Sequence, residues 1–140
     1  LDALGLALFT TALVGESIAD RQLARFRSDP GNRGRVCDAG LWGRSRHPNY
    51  FFEWVHWFAY ALIGWGSPWW WITLAGVAAM YVFLTRLTGI PFAEAQALRS
   101  RGDRYREYQR RVPMFFPRLT TSPSSGAGRP PPQQPAEHHG

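Results

Sequence analysis

The chain has 140 residues, enough for one domain, with a formal net charge of +6 and one cysteine. Its composition is uneven: all 16 basic residues are arginine, and no Asp, Glu, Lys or Arg lies between Glu53 and Arg86, an interval that holds every tryptophan but Trp42. A single cysteine excludes an intrachain disulfide, and the arginines flank apolar stretches, so membrane topology accounts for the basic charge and no nucleic acid is expected as partner.

The first apolar run, Ala3 to Gly15, is shorter than the roughly 20 residues a spanning helix needs. It lacks the basic start and small-residue cleavage site of a signal peptide. The expectation is therefore a chain that starts inside a transmembrane helix whose upstream partners are missing. As this helix leaves the membrane, Glu16, Asp20, Leu23 and Arg27 fall on one face. A solvated salt-bridge face fits that spacing. So does a binding face, with a carboxylate for ribose or amide groups and an arginine for phosphate.

Seven arginines lie between Asp20 and Arg46, and the segment ends in "SRHPNYFFE". Proline favours the first helical position and restricts the residue before it, so a helix is expected to begin at Pro48 with His47 just outside. Its unpaired N–H groups and positive dipole end, with Arg44 and Arg46 upstream, make a candidate phosphate site. Arginines that only set topology or meet anionic lipid are the alternative. Within the helix, Asn49, Glu53, His56 and Tyr60 form one polar stripe entering the membrane. Ionisable groups at that depth normally face a protein or water-filled interior.

The uncharged stretch from Trp54 to Thr85 is too long for one span, and Gly66-Ser67-Pro68 punctuates it. Two helices, about 48–65 and 68–87, are expected, with Trp69-Trp70-Trp71 at a membrane interface. Seven further arginines lie between Arg99 and Arg118. A hairpin puts both basic segments on one side, cytoplasmic by the positive-inside rule. Residues 92–111 read as an amphipathic helix carrying Glu94, Leu98, Arg101, Tyr105, Tyr108 and Val112, ended by Pro113. Met114-Phe115-Phe116 is placed back in the interface. The Pro/Gly/Ser-rich remainder, 119–140, is expected to be disordered, and His138-His139 to bind nothing. The fold class is all-α: a polytopic integral membrane protein with about three transmembrane helices plus a C-terminal amphipathic helix, over 1–118. The all-arginine, Ala/Gly/Pro-rich composition points to a bacterial plasma membrane.

The Asp20/Arg27 face, the Pro48 helix start and the Tyr105/Tyr108 helix would close around one cytoplasmic-side cavity. It suits a ligand with an anionic, hydroxyl-rich head and a flat ring, of which a dinucleotide is one. A G-x-G-x-x-G after a strand, a Walker loop and a metal-spaced Cys/His cluster are all absent from the sequence.

"ADRQLARFR", "GLWGRSRHPNYFFEW" and "RGDRYREYQRRVPMFFP" together resemble the carboxyl-terminal half of the steroid 5-alpha-reductase-like membrane family. The bacterial branch, of mostly unassigned function, is the nearest part of it. Sterol C14 reductases and isoprenylcysteine carboxyl methyltransferases are more distant relatives. The resemblance implies a multi-span helical protein whose C-terminal half binds NADPH from the cytoplasmic side. It assigns Asp20 and Arg27 to the cofactor's polar portions and Asn49, Tyr50 and Glu53 to the nicotinamide end. Tyr105 would close the site, and Arg46 and His47 match the motif. The implied activity is reduction of a C=C bond in a lipid-like enone, with the proton donor on earlier helices, so this part alone is expected to be inactive. An S-adenosylmethionine-dependent methyltransferase is the rival reading. That branch also has Arg-His-Pro-x-Tyr but typically paired acids in the last helix, where this chain has Glu94-Ala95. A non-catalytic membrane scaffold is the third.

Overall fold

The computed structural model describes residues 1–120, within which there are helices, turns and loops and no strand. Five α-helices follow in order: α1 Asp2–Ser28, α2 Pro48–Ile63, α3 Trp70–Val82, α4 Gly89–Arg101 and α5 Asp103–Arg111. Short 3-10 turns at Pro30–Asn32 and Gly40–Gly43 shape the loop between α1 and α2.

α1 and α2 pack antiparallel through small residues. Gly5, Ala12, Gly15 and Ala19 are the buried positions of α1, on one stripe. A Cβ on Gly5 would stand 2.6 Å from Ile63, near the end of α2, and one on Gly15 would stand 2.5 Å from the Phe52 ring, near its start. Between helices in lipid there is no hydrophobic driving force, so contact depends on backbones approaching closely. α3 returns along α2, with the Trp54 indole N–H donating to the Val77 carbonyl at 3.0 Å.

Two helical stretches are long and apolar enough to cross a membrane: Asp2–Ser28 and the 32-residue run Trp70–Arg101. Only 22% and 17% of their apolar windows are buried in the protein, so these are not core helices of a packed globule. Leu4, Leu6, Leu13 and Ile18 on α1 and Trp71, Ile72 and Leu74 on α3 are exposed. α2 has 16 residues, about 24 Å of helix, less than the roughly 30 Å of a hydrocarbon core. Two of the three expected spans therefore reach the required length.

The expected break near residue 87 is not a break. α3 passes into a π-helical segment, Phe83–Leu87, closed by a hydrogen bond from the Thr88 N–H to the Phe83 carbonyl at 2.9 Å. α4 follows directly. Pro91 is tolerated because it sits in the first turn of α4, where N–H groups have no helical partner. The expected amphipathic helix over 92–111 is instead two helices, divided at Gly102, whose φ of 52° and ψ of −120° suit glycine. Residues 113–118 do not simply reach toward an interface. Phe115 is 2% exposed and packs edge-on against Phe51, Trp54 and Tyr81, while Phe116 stays exposed. The expected tail beyond residue 120, with His138 and His139, lies outside the described residues.

Candidate functional site

The loop between α1 and α2 is fixed from both sides. Toward α1, the Trp42 indole donates to the Ala19 carbonyl at 2.9 Å, and the Leu41 N–H donates to the Gln22 side chain at 3.0 Å. Toward α5, the Tyr108 hydroxyl donates to the Trp42 carbonyl, and Arg111 pairs with Asp38 at 3.1 Å. Arg101 of α4 donates from Nε to the Arg35 carbonyl at 2.8 Å. Tyr105, Tyr108 and Val112 form a small buried core with Val36, Ala97 and Leu98. Residues 113–118 clasp the end of the loop. The Ser45 hydroxyl donates to the Phe115 carbonyl at 2.8 Å, Arg46 N–H to Pro113 at 2.9 Å, and Arg118 N–H to Arg44 at 3.0 Å.

These elements enclose a cavity of about 270 Å³. Arg27, Arg46, His47 and Asn49 line it, and so do Tyr50, Tyr105 and Tyr108. Pro48 occupies the first position of α2, and His47 precedes it without a side-chain cap. His47 stacks on Tyr50 with ring centroids 5.7 Å apart and planes at 20°. Asp20 and Glu53 are not in the lining. Asp20 is exposed and accepts a hydrogen bond from Asn49 Nδ2 at 3.2 Å, so it orients a lining residue. Glu53 and Asp20 both lie within electrostatic reach of Glu16 across the α1–α2 seam. The deeper part of the stripe also faces α1: His56 and Tyr60 pack on Phe9 at 5.4 and 6.2 Å.

The side chain at the centre of the network is Glu94, which sequence reasoning placed only on a helix face. Its Oε1 lies 3.0 Å from His47 Nε2 and 3.2 Å from Arg46 Nη1, and its Oε2 accepts from Gln109 Nε2 at 2.8 Å. One carboxylate thus joins the Arg-His-Pro loop to α4 and α5. Only the turn at Gly102, which folds α5 back, brings Gln109 to it. Glu94 faces the pair across 47 residues, a separation that no local spacing rule reaches. Arg101, Trp42 and Cys37 were likewise not singled out for the cavity they line.

Burial pushes the Tyr105 phenol far above its ordinary value, and the charge of Glu94 adds to this. Burial does the same for Tyr108. Both are neutral hydroxyls able to donate. Burial also raises the Cys37 thiol, which keeps it protonated rather than a thiolate nucleophile. Among the described residues, the buried Arg46 Nε and Asn49 Oδ1 have no hydrogen-bond partner. Buried orphans cost about 1–3 kcal/mol each, and here one is a donor and one an acceptor on the same cavity wall. Guanidinium groups, an amide and stacked rings fit a ligand with anionic and flat aromatic parts. No group of three or more metal-ligating side chains occurs among the described residues.

A family profile described as "Protein of unknown function (DUF1295)" matches residues 1–112. An uncharacterized protein of Schizosaccharomyces pombe is 31% identical over 144 residues, covering 86% of this chain. The chain spans 40% of that relative's length. No solved structure matches.

Proposed function

We propose, from the premise that this chain belongs to the DUF1295 family, that it carries the cofactor-binding part of an NADPH-dependent reductase acting on a C=C bond of a lipid-like enone. The observation that carries the reading is a cavity at the start of α2 on which Arg27, Arg46 and Arg101 converge with Asn49 and three tyrosines. The resemblance to steroid 5-alpha-reductase-like proteins supplies the identity of the ligand. When bound, NADPH would supply the hydride.

The chain's own residues bind and orient. Arg27 and Arg101 are the phosphate ligands, and the stacked His47–Tyr50 pair is a flat wall for a ring. Asn49 Oδ1 accepts from the ligand, because its Nδ2 is held by Asp20. Glu94 keeps Arg46 and His47 in place. In this reading the proton donor and the substrate's lipid-like portion belong to helices outside this chain, and the Arg-rich loop faces the cytoplasm of a bacterial plasma membrane.

The methyltransferase reading is the weaker one. In place of paired acids α4 offers Glu94, whose carboxylate already serves Arg46 and His47, next to Ala95. Titrating the purified full-length protein with NADPH and with S-adenosylmethionine separates the two. Saturable NADPH binding, weakened several-fold by Arg27→Ala or Asn49→Ala, is expected. Binding of the methyl donor alone would overturn the reductase reading, and binding of neither by folded protein would leave a scaffold.

A further inference from the structure

A second cavity, of about 380 Å³, adjoins the first, and the two share Phe26, Arg27 and Arg101 as a common wall. Its outer side is the turn after α1, with Asp29, Asn32 and Arg33. Two polar side chains of this turn are engaged by the turn itself. Asp29 Oδ1 accepts from the Gly31 N–H at 2.8 Å. Asn32 donates to the Phe26 carbonyl at 3.0 Å and accepts from Arg35 at 3.3 Å. Ser28 Oγ donates to the Arg25 carbonyl at 2.8 Å.

What remains to meet a ligand is guanidinium. Three arginines face one carboxylate, Asp29, in this cavity. Arg101 uses Nε on the Arg35 carbonyl and Nη1 on Ser100. The side chains of Arg27 and Arg33 make no hydrogen bond or ion pair among the described residues. An excess of unpaired guanidinium charge on a concave surface attracts a compact dianion and binds it through charge-assisted hydrogen bonds. The inner cavity, at about 270 Å³, falls below the roughly 300–1,000 Å³ typical of sites for drug-sized ligands. A dinucleotide seated there must extend past the Arg27/Arg101 wall into the outer one.

We propose that the outer cavity is a phosphate-monoester subsite, in which Arg33, with Arg27 and Arg101, takes the ribose-bound phosphate that distinguishes NADPH from NADH. The proposal rests on the dinucleotide reading above and adds to it the residue that selects between the two nucleotides. A phospholipid headgroup offers the same phosphate chemistry, so the test must tell the two apart.

The test is a binding titration of the full-length protein in phosphatidylcholine nanodiscs with NADPH and with NADH. NADPH is expected to bind about tenfold more tightly or better, the size of one charge-assisted contact. Arg33→Ala should weaken NADPH alone and remove most of the preference, and Arg33→Lys should keep part of it. Equal affinities for the two nucleotides would overturn the phosphate subsite and leave the dinucleotide reading standing. Binding of neither would overturn both. Loss of the preference when phosphatidylglycerol is added to the nanodiscs would identify a lipid headgroup as the occupant and overturn the proposal.

Discussion

Along the α1–α2 seam the contacts are between glycines, alanines and aromatic rings. In the layer formed by the Arg-rich loop, α4, α5 and residues 113–118, they are ion pairs and hydrogen bonds between groups far apart in sequence. The seam is selected by shape: Gly15 accepts the face of Phe52, and Gly5 accepts Ile63. The cavity layer is selected by direction: Glu94 meets Arg46, His47 and Gln109, and Tyr108 meets Trp42. Lipid tails are as apolar as leucine, so in their presence close packing discriminates one helix pair from another. Where water competes, a buried polar group left unpaired is the larger penalty.

The largest break in this contrast should come from the seam. Gly15→Leu forces a side chain into the Phe52 ring and is expected to lower stability by about 3 kcal/mol, read as a fall in melting temperature in detergent. Combining it with Phe52→Ala should recover part of the loss.

Glu94→Ala is expected to be next. It leaves Arg46, His47 and Gln109 without their shared acceptor and should cost about 2 kcal/mol. Hydrogen exchange should quicken in α5 while the α1–α2 seam keeps its protection.

Alkaline pH tests the same layer without a substitution. Tyr105 and Tyr108 have folded values raised above the ordinary value of 10.0 by burial. The folded state then holds protons that the unfolded state has released. Their contribution is fully present below about pH 10 and declines as the pH rises above it. An absorbance titration should show these two phenols ionising only as the layer unfolds.

The smallest effect should come from Arg106→Ala. Its partner Asp103 is 97% exposed at the side chain, and such pairs contribute little. No measurable change in melting temperature is expected.

Much of the seam and of the α2 start was legible in the chain. Pro48 sets the first position of a helix by its own φ, and the Asn49–Tyr60 stripe marks a face that local spacing can identify. What local pattern could not show was continuity and return. Gly89 and Pro91 read as a stop, but both fall where a helix start makes no demand on their N–H groups. Gly102 sits inside a helical pattern, and its positive φ is visible only in three dimensions. Because that turn directs α5, the position of Glu94 in the network was not legible either. Asp20 and Glu53 were placed near the cavity on face arguments alone. Their charges lie on the seam side, where Asp20 acts through Asn49.

The clasp between residues 44–46 and 113–118 sets an order of assembly. Ser45 is made 70 residues before the carbonyl of Phe115 that its hydroxyl meets, and Arg44 earlier still relative to Arg118. While the chain is being synthesised, the loop that carries Arg46 and His47 therefore waits, with its fixing partners not yet made. The apolar hairpin of α2 and α3 is complete before then. The cavity is finished last, by the return of a short segment that itself contributes nothing to its lining.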